Sequence, residues 1–128
     1  MDARITVSAE TAAQAALFKA LGDPTRLALM KILLRRKFCV QALAGMLGVS
    51  ESAVSQQMKI LKNAGLVSVE RYGKHIHFVA DRARLDSLGA ILESICNMPL
   101  LEDGECHCPK ESHDCRCMHT EVSKIGTI

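Results

Sequence analysis

The chain has 128 residues, about one domain's worth, and its 48% hydrophobic and 23% charged side chains exclude wholesale disorder. Lys and Arg number 16 against 14 Asp and Glu, and the resulting charge of +2 points by itself to no partner. With no Trp, one Tyr and three Phe, the chain lacks the platforms on which single-strand nucleic-acid binders stack bases.

The start, Met1-Asp2-Ala3-Arg4, carries an acid early and no apolar stretch follows, so no secretory leader is expected. The most apolar run, Leu27 to Leu34, is interrupted by Lys31 and is far too short to span a bilayer. A cytoplasmic, reducing setting follows as an expectation, in which thiols serve metals or redox sensing more than structural disulfides.

A 3.6-residue period dominates the first two thirds of the chain. Ala12, Ala13, Ala16, Leu17, Ala20 and Leu21 form an apolar stripe on a first helix closed by Gly22. Asp23-Pro24 restarts a helix with a capping acid and a proline in the first turn, and Leu27, Met30, Leu33 and Leu34 are its expected buried face. A short helix over roughly Val40 to Leu47 is followed by Gly48-Val49-Ser50 and a longer helix from about Glu51 to Ala64, ended by Gly65. Val67 to Tyr72 and His75 to Ala80 alternate like strands and meet at Gly73-Lys74, the pattern of a hairpin. Asp81 caps a last helix with Leu85, Leu88, Leu92 and Ile95 on one face. This order predicts a mainly α winged helix-turn-helix domain over residues 1–97, followed by a flexible tail over 98–128.

Divided after Ile95, the near-neutral charge separates into two unlike parts. Residues 1–95 carry 13 basic and 8 acidic side chains, whereas residues 96–128 carry 3 and 6. The first part holds one cysteine, Cys39; the second holds Cys96, Cys106, Cys108, Cys115 and Cys117, with Pro99, Gly104 and Pro109 breaking any helix.

The helix-turn-helix requires a small residue where the two helices cross, which Ala44 supplies, and a turn residue free of Cβ, Gly48. Val54, Met58 and Leu61 would pin the longer helix, leaving Ser52, Ser55, Gln56, Lys59 and Asn63 on a polar face suited to bases and phosphates. An ordinary helical hairpin with a solvated face fits those residues as well. Arg71, Lys74 and His75 at the hairpin tip favour DNA, since such a wing contacts phosphates.

Phe18-Lys19-Ala20-Leu21-Gly22-Asp23-Pro24-Thr25-Arg26-Leu27 resembles the opening motif of the ArsR/SmtB family of winged-helix repressors. The run from Glu51 to Leu61, with Ala64-Gly65-Leu66-Val67, resembles that family's recognition helix and exit, with Gln57-Met58 in place of its usual His-Leu. The resemblance spans about Ala16 to Leu88. It implies a homodimer joined through the first and last helices, bound to palindromic double-stranded operator DNA and released by a metal, a metalloid or a reactive sulfur species. Ser52, Ser55, Gln56, Gln57, Lys59, Arg71, Lys74 and His75 are the expected DNA contacts.

The family's sensing positions match only in part. Cys39 stands where the arsenic- and cadmium-type Cys-Val-Cys motif begins, but Gln41 replaces its second cysteine. For the zinc-type site on the last helix, Asp81 matches while Ala83, Ser94 and Asn97 do not. No cysteine lies in the recognition helix. The tail offers instead two Cys-x-Cys pairs, Cys106/Cys108 and Cys115/Cys117, with His113 and His119 nearby, and four thiolates make a tetrahedral soft-metal site. Cys39 by itself fits a small core position, and the resemblance makes it a ligand; Cys96 fits packing and ligation equally.

The candidate metal ligands are therefore Cys39, Cys96, Cys106, Cys108, Cys115 and Cys117, for an inducer among Zn, Cd, Pb, Cu(I), As(III) and Sb(III). A thiol-based redox or reactive-sulfur input to the same repressor is the alternative. A metal-buffering protein in which only the tail matters is a further one. No enzyme is expected, since Cys-x-x-Cys, a phosphate-binding Gly loop and His-Glu-x-x-His are all absent.

Overall fold

The computed structural model describes residues 6–101. Five helices and a small antiparallel sheet follow in the order α1 (Ala9–Leu21), α2 (Pro24–Leu33), β1 (Phe38–Cys39), α3 (Val40–Leu47), α4 (Glu51–Asn63), β2 (Val67–Tyr72), β3 (His75–Ala80) and α5 (Arg82–Cys96). This is the expected winged helix-turn-helix. Residues Met1–Cys96 form one compact unit; residues 97–101, without regular structure, begin a second unit, Asn97–Ile128.

Local chemistry places the helix starts. The Ser8 hydroxyl accepts the Thr11 N–H at 3.0 Å at the head of α1. One oxygen of Asp23 accepts from the N–H groups of both Thr25 (3.0 Å) and Arg26 (3.1 Å), satisfying two donors that an α-helix leaves open, while Pro24 sits where an N–H is not needed. Ser50 caps α4 through the Ala53 N–H at 3.1 Å, and Asp81 caps α5 through the Arg84 N–H at 3.0 Å.

The core lies where α2, α3, α4, the strand following α4 and α5 meet. Leu29, Met30, Leu43, Val54, Met58, Leu61 and Leu66 are fully buried there, with Leu33, Ala44, Val67 and Leu88 beside them. Each such aliphatic side chain contributes about 1.5–3 kcal/mol relative to exposure.

One expectation is corrected by this packing. In α2 the inward residue is Leu29; Leu27 is 42% exposed, and Leu34 is half-buried at the helix end. The segment Leu27-Ala28-Leu29-Met30-Lys31-Ile32-Leu33-Leu34 is apolar nearly all round, so periodicity alone does not fix which stripe faces inward. In α1 only Ala20 is buried, and Ala12, Ala13 and Ala16 face outward. In α5 Leu88 is buried but Leu92 and Ile95 are about half exposed, at 51% and 50%.

The sheet also has a strand more than the expected hairpin. Its order is β1-β3-β2, with Phe38 opposite Phe78 and Cys39 opposite His77 in one pairing, and Val69 opposite Phe78 and Glu70 opposite His77 in the other. Two residues are too few to show alternation, which is why β1 is invisible in the sequence. The hairpin itself runs as expected. Gly73, at φ +61°, occupies the first central place of its turn, where positive φ lets the twisted strands meet.

The α2 register yields a test. Leu29→Ala is expected to lower the unfolding free energy by about 2–5 kcal/mol in urea denaturation, and Leu27→Ala by less than about 1 kcal/mol. Comparable losses would contradict the observed register.

Candidate nucleic-acid interface

The turn between α3 and α4 is set by Gly48, whose φ of +65° and ψ of +32° are costly for a residue with a Cβ. Its N–H and that of Val49 both return to the carbonyl of Ala44, the small residue buried at the helix crossing. From there α4 runs about 20 Å with its two faces fully distinct. Val54, Met58 and Leu61 are sealed in the core, while Ser52, Ser55, Gln56, Lys59 and Asn63 are exposed. Glu51 in the first turn and Lys62 in the last complement the helix dipole.

Gln57 does not share the exposure of its neighbours. It is half-buried, and its Oε1 accepts from Nη1 of Arg26 at 2.9 Å. The other predicted side chains of α4 have no partner of comparable strength; Ser52 lies 3.4 Å from the Ser50 hydroxyl.

Arg71, Lys74 and His75 are exposed around the hairpin tip, as expected. A carboxylate on the same strand, Glu70, would oppose phosphate, and the structure answers it with Lys37. The Lys37 ammonium donates to Glu70 Oε2 at 2.7 Å and to the Tyr72 hydroxyl at 3.2 Å; that hydroxyl donates in turn to Glu70 Oε2 at 2.6 Å. The Lys37 Nζ also stands 5.7 Å from the Tyr72 ring centroid, and the ring packs against His77 at 5.2 Å. The hydrogen bond from Lys37, then that from Tyr72, holds the Glu70 carboxyl below its ordinary value, and the same bond to Glu70 raises the Lys37 amine. Sequence reasoning missed this network because Lys37 and Glu70, 33 residues apart, become neighbours only through β1.

Among the described residues, Cys39 and Cys96 are free thiols. Cys39 stands at the N-cap of α3, its side chain making no capping bond. Phe38 and Phe78 pack against the core, so the adjacent row across the sheet, Cys39, His77 and Glu70, takes the opposite face. Cys96 is the last residue of α5 and is exposed. No group of three or more His, Cys, Asp or Glu among the described residues converges as a metal site. These residues alone therefore do not fit a soft ion. Cys106, Cys108, Cys115 and Cys117, with His113 and His119, lie outside the described residues.

A family model described as bacterial regulatory protein, arsR family, matches residues 23–69. A transcriptional repressor SmtB homolog from Synechocystis is 47% identical over 64 residues, 50% of this chain and 48% of that protein. The mycobacterial repressor SmtB of Mycobacterium tuberculosis is 42% identical over 60 residues, 47% of this chain and 44% of its own length. The chain thus spans about half the length of these two curated relatives. Among solved structures, an ArsR-like transcriptional regulator from Rhodococcus sp. RHA1 superposes with a TM-score of 0.64 at 31% identity, over 70% of this chain and 84% of that one. Another, described as a possible transcriptional regulator for arsenical resistance, has a TM-score of 0.58 at 30% identity, covering 62% and 83%. The relatives are regulators rather than enzymes, in line with the expectation of a non-catalytic chain.

The wing network predicts a pH response with a defined sign. Glu70 is more acidic in the folded chain, so its contribution is complete above the ordinary carboxylate range and is lost as pH falls through the lowered value. Lys37 is raised, so its contribution holds below the ordinary amine value and is lost as pH rises through the raised one. Expected NMR shifts of Lys37, Tyr72 and His77 therefore include a common acid transition below about pH 4.5, absent in Glu70→Gln. Persistence of that transition in the variant would refute the assignment.

Proposed function

The chain belongs to the ArsR/SmtB family of helix-turn-helix transcriptional regulators, and we propose that it is a repressor binding double-stranded operator DNA through α4 and the β2–β3 wing. The observation that carries this reading is the division of α4: one face is locked in the core, and the other presents Ser52, Ser55, Gln56 and Lys59 to solvent beside exposed Arg71, Lys74 and His75. A helix of this width fits the major groove, where Gln and Ser reach base edges and Lys reaches bases or phosphates. The wing then adds phosphate contacts alongside.

A homodimer accounts for the apolar surface that one chain leaves open. Ala12, Ala13 and Ala16 of α1 and Leu92 and Ile95 of α5 are exposed in the single chain, and the small residues permit close helix approach. Two-fold symmetry would place two copies of α4 on palindromic half-sites.

The input is a soft metal or metalloid ion held by cysteine thiolates. The arsenical-resistance description of one structural relative supports that class of ion. A complete donor set needs more than Cys39, and the cysteines at 106, 108, 115 and 117 provide the chemistry required. Their capture of an ion together with Cys39 would favour a protein geometry that fits DNA poorly. A coupling of about 1–3 kcal/mol is enough for regulation, well below the binding energy thiolates can supply.

Two measurements test this. Lys59→Ala and Arg71→Ala are each expected to lower operator affinity and to reduce the slope of log affinity against log salt by about one where a phosphate contact is lost. In anaerobic fluorescence anisotropy, the 97–128 deletion should keep operator binding while losing release by the ion, and Cys39→Ser should blunt release. Release of the wild type by a persulfide donor but by none of the ions would replace the metal input with a sulfur-redox one; loss of DNA binding on deletion would overturn the division of labour.

A further inference from the structure

The half-buried Arg26 side chain joins three helices. Its backbone N–H is fixed by the Asp23 carboxylate at 3.1 Å. Its guanidinium then reaches back to the end of α1, where Nε donates to the Ala20 carbonyl at 2.6 Å and Nη2 to the Lys19 carbonyl at 3.3 Å. The remaining arm, Nη1, donates to Gln57 Oε1 at 2.9 Å on α4. Those two carbonyls belong to the last turn of α1, where the regular helical donors run out; that of Lys19 also accepts the Gly22 N–H at 3.1 Å. A planar guanidinium with five donors in fixed directions holds both ends at once, which an ammonium on a flexible stem does not.

Gln57 lies on α4 directly among the residues assigned to DNA. Its amide is half-buried and its oxygen is held by Arg26, so a bidentate contact to adenine, which needs both the oxygen and the nitrogen of the amide turned to the base edge, would compete with the geometry of that bond. We infer that Arg26 is a positioning residue for DNA recognition: by clamping Gln57 to the end of α1 it sets the orientation of α4, and Gln57 serves that clamp instead of reading a base. This inference rests on the repressor reading for its DNA consequence. It also makes the end of α1 a point from which displacement passes to α4 through one side chain.

The test uses the full chain and a duplex selected from a random-sequence pool by the wild type, with a scrambled duplex as control. Gln57→Leu removes the acceptor while leaving the Arg26 bonds to α1 intact; Arg26→Leu removes all three. Each is expected to weaken binding of the selected duplex about tenfold with little change on the scrambled one, and the double variant should be no weaker than the weaker single. In the DNA-free protein, amide hydrogen exchange along α4 should quicken in Gln57→Leu. Losses that multiply in the double variant would mean that Gln57 contacts DNA independently and would overturn the inference, as would wild-type binding by Gln57→Leu. Failure of the wild type to select any duplex would refute the repressor reading itself; exchange in α4 would then still decide the clamp, quickened exchange supporting it and unchanged exchange overturning it.

Discussion

The constraint on which this molecule depends is the burial of one face of α4. Val54 and Leu61 are 0% exposed and Met58 is 1%, so the helix has a single seat in the core. That seat dictates what is left outside. The residue after each buried one, Ser55, Lys59 and Lys62, is turned to solvent, and with Ser52, Gln56 and Asn63 it makes a face of short, polar or basic side chains. Gly48 and Ser50 then fix where the helix starts, and Ala44 lets α3 approach closely enough for the two helices to share one layer. The polar face is thus a consequence of packing that has nothing to do with DNA, which is how a rigid scaffold presents a reading surface without loops of its own.

Side-chain contacts then hold the elements around that seat. Arg26 ties α4 to the end of α1, and Lys37 ties the segment before β1 to Glu70 and Tyr72 on the wing. Both are cations whose donors are engaged by neighbouring groups of the protein. The body's excess of 13 basic over 8 acidic side chains already subtracts Glu70, so the Lys37 pair leaves that excess unchanged but takes one cation out of the set free to meet phosphates. What faces outward without such engagement is a smaller set, Lys59, Arg71, Lys74 and His75 among them.

Much of this was legible in the sequence where chemistry is local. Asp23-Pro24 announced a capped helix start, Asp81 another, and Gly73-Lys74 a hairpin tip, since caps and tight turns are decided within a few residues. The winged order of elements followed. Legibility failed where the outcome depends on distant partners. The α2 segment is apolar on nearly every side, and only the surrounding helices choose Leu29 over Leu27. The two-residue β1 exists because β3 is there to pair with it. Gln57 shares its spacing with the exposed face of α4, and nothing in the spacing reveals that Arg26, 31 residues earlier, holds it. The Ala-rich stripe of α1 is legible as an apolar face, and this chain alone leaves it uncovered.

The cysteines divide along the same line between local and distant information. Pairs two residues apart are visible in the sequence, and their softness as donors follows from the thiolate alone. Cys39 is different, because its value depends on where the fold carries it. The fold carries it to the N-cap of α3, on the sheet face that also bears His77 and Glu70, one short helix away from the turn that positions α4. A ligand held by that thiol, as proposed, would act at the base of the helix-turn-helix and at the root of the wing together. Both sides of the proposed DNA surface start from β1: α3 leads to α4, and pairing with β3 leads to the hairpin. A sensor needs its chemical event to differ in energy between two arrangements of the reading elements. Cys39 sits at the junction from which both lead, which under the proposed sensor reading is a physical reason for a thiol at that place, although Gln41 stands where the family motif has its second cysteine.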